Sequence, residues 1–180
     1  MKDTTTSKKT PIQKKLSKKS LTDIRMLFDE SIKKQYWCEK QFVEILPRLA
    51  KLATSYELSS AILAQLAVSE NQIIRLIHVF DAVGDRVIGL QSEAAQQILQ
   101  NVPDLLAIES GFDRDNATIK IAEKLTELQI VNYEILLTLS GKLGEELASE
   151  LLTMSVKEEK NVFRRITEIN LPSIYFEVAS

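Results

Sequence analysis

The residues with the most chemistry to offer are carboxylates set among apolar side chains. Phe28, Ile32, Gln35, Glu39, Phe42 and Leu46 succeed one another at spacings of three and four, the pattern of one helix face. Glu39 sits mid-stripe, where a leucine is expected. Burying a carboxylate there is costly unless it is hydrogen-bonded, paired or bound to a metal. Glu70 takes the same place in the face Leu63, Leu66, Glu70, Ile73, Ile77, Phe80, and Glu158 or Glu159 takes it in a later segment. Carboxylates from several helices, aimed at the middle of a bundle, are the donors of a di-iron centre. Two irons need about four carboxylates and usually two histidines. The chain offers at most Glu39, Glu70, Glu158 and Glu159, from three helices. Its one histidine, His78, lies two turns beyond Glu70, too far for a Glu-x-x-His pair. Cys38 beside Trp37 reads as a packed small hydrophobe, Tyr36 and Trp37 as interface or core aromatics, and His78 as a helix-surface residue. There is no Gly-rich phosphate loop, no Cys/His metal spacing and no Ser/His/Asp arrangement.

Those carboxylates need long helices to position them. At 180 residues, with 44% apolar and 27% charged residues, the chain has the length and composition of one globular domain. Five Gly and four Pro are few, which favours helix. Residues 1–19 carry most of the early lysines and read as a disordered basic tail. The bundle domain is expected over 20–180. Ser20 is the expected N-cap of a first helix running to about Ala53, with Pro47 inside it as a kink. A short turn at 54–57 leads to a second helix ending at Val83, with Gly84 at C′. The two helices form an antiparallel hairpin.

Gly84, Gly89, Pro103 and Gly111 punctuate residues 84–113, and Ser92 caps a short helix through about Gln100. A connection of about 30 residues spans the length of a long helix, so the third helix runs parallel to the second. That is the long crossover of ferritin-like bundles. The third helix covers about Asp115 to Leu143, with Ile121, Leu125, Leu128, Ile135, Leu136 and Leu139 inward, and Gly144 stops it. The fourth runs from about Glu145 to Asn170, with Leu147, Leu151, Val162, Ile166 and Ile169 inward. Pro172 ends it, and Ile174-Tyr175-Phe176 packs back on the bundle.

Particular runs carry a family resemblance. Ser20 to Ile24, Glu39 to Phe42 and Leu46-Pro47-Arg48-Leu49-Ala50, with Ser69-Glu70-Asn71-Gln72-Ile73, Gly141 to Gly144 and Glu158-Glu159-Lys160, resemble the YciF/YciE-type family of ferritin-like, stress-linked bacterial proteins. The resemblance implies an all-α, ferritin-like four-helix bundle, a dimer, and a di-metal centre whose ligands come from all four helices. Carried over by position, it makes Glu39 the first-helix ligand, Glu70 the second ligand of the second helix, and Glu158 and Glu159 the acidic run of the fourth. Ala67 and Thr126 stand where the family has ligands, Gln129 where a second Glu often falls, and Phe163 where Asp often does. Glu127 flanks the third-helix position.

The reading is therefore a degraded di-metal site in a non-enzymatic, stress-associated homodimer. No bound cofactor is expected, and the carboxylates should be held by Thr126, Gln129, Asn132, Ser69 or Tyr133, with at least one Glu pKa raised. The alternative is an iron- or manganese-binding protein or oxidoreductase that uses Glu39, Glu70, Glu158 and Glu159. Cys38 is the sole cysteine, which excludes an intramolecular disulfide and fits the cytoplasm. No apolar run approaches the roughly 20 residues of a membrane span. The lysine tail is read as a solvated terminus rather than a nucleic-acid contact.

Overall fold

The computed structural model describes residues 18–176. The expected basic tail lies outside them except for Lys18 and Lys19, which begin the first helix. The elements are α1 (Lys18–Leu52), α2 (Tyr56–Val83), a short α3 (Glu93–Leu99), a 3-10 turn (Pro103–Ala107), α4 (Phe112–Leu143), α5 (Glu146–Thr167) and α6 (Leu171–Phe176). Among the described residues no helix is long and apolar enough to cross a membrane.

Local chemistry sets the ends. Ser55 accepts a hydrogen bond from the Leu58 N–H at 3.3 Å and caps α2. Gly84 and Gly144 end α2 and α4 at φ 72° and 74°, a left-handed conformation that glycine adopts without strain. The Asp85 N–H then closes onto the Phe80 carbonyl, and that of Glu145 onto Ser140, both at 3.0 Å. Pro47 lies within α1 and does not end it. The ring removes one backbone donor, which leaves the Val43 carbonyl without its usual helical partner.

Four long helices form the bundle. α1 packs on α2 and α4, and α5 packs on the same two helices. Every adjacent pair is antiparallel. Arg25, near the start of α1, pairs with Glu145 just past the end of α4. At the other end the buried Asp115 carboxylate accepts the Thr54 and Ser55 N–H groups at 2.7 and 2.8 Å and the Tyr175 hydroxyl at 2.7 Å. One side chain thus joins the α1–α2 turn, the start of α4 and the docked α6. Gln65 on α2 meets Thr126 on α4 at 3.0 Å, so these two helices run parallel across the bundle. The long crossover is present, with α3 in it as expected. It passes over α1, where the Leu90 N–H donates to the Lys33 carbonyl at 3.0 Å.

The apolar interior is in two parts. One cluster, near the α1–α2 turn, contains Phe42, Leu46, Leu49, Leu58, Ile62 and Leu125. The other, toward the opposite end, contains Phe28, Ile32, Leu76, Phe80, Leu136 and Leu152. A polar layer divides them.

Three helix faces differ from expectation. The buried face of α2 is Leu58, Ile62, Gln65, Ser69, Gln72, Leu76, Val79 and Phe80. This is the expected stripe rotated by one residue, about 100°. Leu63 and Glu70 are exposed. α2 carries aliphatic residues around most of its circumference, so apolar spacing alone does not define its inner face. On α5, Leu147 is exposed and Leu151 half-buried, while Ala148, Leu152, Ser155, Val156 and Glu159 turn inward with Val162 and Ile166. On α4, Ile135 is exposed and Tyr133 takes the inward position.

Candidate functional site

The dividing layer is polar on all four helices. α1 contributes Gln35 and Glu39, α2 contributes Gln65, Ser69 and Gln72, α4 contributes Thr126, Gln129 and Tyr133, and α5 contributes Ser155 and Glu159, all buried. Each occurs at helical spacing on its helix, so the layer is a continuous face rather than a chance defect.

Glu39 is the best-partnered member. Its Oε1 accepts the Tyr133 hydroxyl at 2.6 Å and the Gln35 amide at 3.2 Å. Gln35 also donates to Gln129 at 2.6 Å and accepts from Asn132 at 2.9 Å. Oε2 of Glu39 has no hydrogen-bond partner, and neither oxygen of Glu159 has one. Ser69 Oγ, both polar atoms of Gln72, Gln65 Oε1 and Gln129 Nε2 also lack a hydrogen bond of good geometry, although Ser69 and Gln129 stand close enough to Glu39, and Gln72 to Glu159, to favour the ionised carboxylates. Buried groups of this kind cost about 1–3 kcal/mol each when nothing satisfies them.

Burial dominates the electrostatics. It pushes Glu39 up to about 7, against the lowering effect of Tyr133, Ser69, Gln129 and Gln35. Burial, and then the Glu39 charge, raises Glu159 well above the usual carboxylate range. Burial, and then Glu39, also raises the Tyr133 hydroxyl well above 10. The pair therefore favours retaining a proton near neutrality.

Only two of the four expected ligands meet. Glu39 and Glu159 face one another from opposite corners of the bundle. Glu70 points to solvent because of the rotation of α2. Glu158 is at the surface of the α2–α5 groove, where it accepts two hydrogen bonds from Arg75 at 2.6 and 2.8 Å. Arg75 also reaches Ser155 at 3.0 Å, so the guanidinium closes the layer from that side. Glu127 and His78 are exposed, and neither joins the layer. Burial pushes the Cys38 thiol up to about 12, in keeping with a packed side chain rather than a nucleophile. Apolar periodicity missed Gln65, Gln72 and Arg75. A signal existed, because Gln65, Ser69 and Gln72 themselves repeat at spacings of four and three.

The donor set does not fit two metals. A ferritin-like centre takes one carboxylate from each of two helices and a Glu-x-x-His pair from each of the others. The inward i, i+3 pairs at this level are Ser69 with Gln72 on α2 and Glu159 with Val162 on α5, and α4 presents Gln129 and Tyr133. Carboxylates remain on α1 and α5 alone. Among the described residues no three His, Cys, Asp or Glu side chains converge as a metal cluster.

Helix order, crossover and polar layer define an all-α, ferritin-like four-helix bundle. A family model described as a domain of unknown function, DUF892, matches residues 23–175, and the chain belongs to that family. It is 26% identical over 157 residues to protein YciF of Escherichia coli K12, which covers 86% of this chain and 95% of that protein. The crystal structure of that relative, described as a stress protein, superposes with a TM-score of 0.79 over 84% of this chain and 96% of its own. YcfI of Rhodopseudomonas palustris, 22% identical, shares the fold with a TM-score of 0.80 over 87% of this chain and all of its own.

Proposed function

We propose that this chain is a non-enzymatic, stress-associated, cytoplasmic bundle protein, active as a homodimer, whose mid-bundle centre is a remnant of a di-metal site. The observation that carries the reading is the inward set of α2 and α4. Ser69, Gln72, Gln129 and Tyr133 stand where a two-metal centre needs carboxylates and histidines. The stress setting is supported by likeness to the E. coli stress protein.

A second reading has its own support. Three carboxylate oxygens without partners, on Glu39 and Glu159, form a donor set for one iron or manganese ion. Oε1 of Glu39 is already oriented by Tyr133 and Gln35, as outer partners orient a ligand.

Elemental analysis of protein purified from iron- or manganese-rich medium separates these readings. The first expects no stoichiometric metal. About one ion per chain, lost in both Glu39→Ala and Glu159→Ala, supports the second. About two, lost in Glu39→Ala, overturns the remnant itself. The full chain and a chain lacking residues 1–19 should both fail to bind duplex DNA at physiological salt. Binding that depends on the lysines would add a nucleic-acid role. Cellular abundance under osmotic, acid and oxidative challenge tests the stress setting, and a level unchanged in all three removes it.

A further inference from the structure

An apolar cavity lies away from the polar layer, where the last turns of α1 meet the crossover. It measures about 400 Å3, within the roughly 300–1,000 Å3 of small-molecule sites. Ile45 and Leu52 of α1, Leu99 of α3, and Val102 and Leu106 beside or within the 3-10 turn make its wall almost wholly apolar. Leu106 is 69% exposed, a large aliphatic group left open to water at the mouth. Two cations, Arg48 and Lys51, stand among these walls on the same side of α1. Neither makes an ion pair within 4 Å among the described residues. Glu44, one turn before Arg48, lines a smaller cleft that shares Ile45, Arg48 and Leu99, and makes no ion pair with Arg48 within 4 Å.

An apolar cavity with unneutralised cations at its edge is complementary to a molecule with a hydrocarbon body and an anionic head. We propose that this cleft binds a medium-chain fatty acid, with its chain between α1 and the 3-10 turn and its carboxylate on Arg48 and Lys51. Each methylene taken from water contributes about 0.8 kcal/mol, so the chain supplies affinity and the cations supply orientation and head-group choice.

The test is calorimetric titration of the full-length protein with sodium decanoate below its micellar concentration, with 1-decanol and decyltrimethylammonium as head-group controls. Saturable binding of about one decanoate per chain is expected, with at least about tenfold preference over both controls. Arg48→Glu with Lys51→Glu should weaken decanoate about tenfold while the helical circular dichroism of the folded chain is retained, because both residues are exposed. Leu106→Asn should weaken all three amphiphiles that bind. Methyl resonances of Leu99, Val102 and Leu106 should shift on titration. No saturable binding, equal binding of the cationic amphiphile, affinity unchanged in the charge-reversal variant, or shifts confined to other residues would each overturn the assignment. Failure to bind because two copies cover the cleft, seen as a dimer that dissociates in Leu106→Asn, would also overturn it.

Discussion

Tyr133 supports Glu39 more directly than any other residue. Its hydroxyl is the shortest contact to that carboxylate, and both side chains are fully buried. Tyr133→Phe removes the closest donor and leaves Glu39 to Gln35 and the more distant Ser69 and Gln129. The expected cost is about 1–3 kcal/mol by urea denaturation, with the Glu39 pKa moving further up. The carboxylate pair also predicts a pH dependence. A carboxyl group with a raised folded-state pKa holds its proton more tightly in the native chain, so its contribution is complete below about 4.5 and is lost as pH rises through about 7. Glu159 extends the loss to higher pH. Thermal unfolding should therefore shift to lower temperature between about pH 5 and pH 8. Glu159→Gln, which resembles the protonated acid, should flatten that slope. A slope unchanged in the variant counts against the pair as its origin. At this scale Glu39 and the need to partner it were legible in the primary structure, and so were Ser69, Gln129, Asn132 and Tyr133 as candidate neighbours. The choice of Glu159 over Glu158 was not. The two are adjacent on a helix, and only the packing of α5 shows which one turns inward.

At the scale of elements, the informative difference is the rotation of α2. Leu63, Leu66, Ile73 and Ile77 fit a helical stripe as well as the buried residues do, because α2 is aliphatic on several sides. The stripe at Gln65, Ser69 and Gln72 wins because it faces the carboxylates of α1 and α5. Gly84, Ser92 and Gly144 were legible as caps, since each depends on a few neighbouring backbone groups, whereas Ser20, expected as the first N-cap, lies inside α1, which begins at Lys18. Asp115 was not, because its three donors come from the α1–α2 turn and α6. Asp115→Ala should cost about 3 kcal/mol and free both ends at once, raising amide exchange at Thr54 and Ser55 while α6 undocks. Asp115→Asn should recover part of the loss. Raised amide exchange at the α1–α2 turn with α6 still docked would separate the two roles. The Arg75 side chain is only 12% exposed and also holds the buried Ser155 hydroxyl, so Arg75→Met should cost about 1–3 kcal/mol.

At the scale of the molecule, a polar layer between two apolar clusters allows the helices one relative register. Sliding any of them by a turn would place Glu39 or Glu159 against aliphatic side chains. The outer surface carries a further expectation. Ile74 on α2 and Leu147 and Met154 on α5 are 56%, 57% and 52% exposed, and Ile74 and Met154 flank one groove. If the homodimer forms through this face, sedimentation equilibrium should return twice the 20.4 kDa of one chain, and Ile74→Glu with Met154→Glu should return one. A wild-type monomer at micromolar concentration removes the dimer.

The linear order of residues already contained the long helices, several of their caps, the length of the crossover and hence the parallel run of α2 and α4, because these follow from local backbone chemistry and chain reach. It also contained the odd carboxylate at Glu39. The fate of that carboxylate depended on contacts between helices far apart in the chain. Packing turned Glu70 outward, engaged Glu158 with Arg75, and set Glu39 and Glu159 across a layer of amides and hydroxyls. A one-residue rotation moves a side chain by about 100°, and no single helix carries enough information to set that angle without its neighbours.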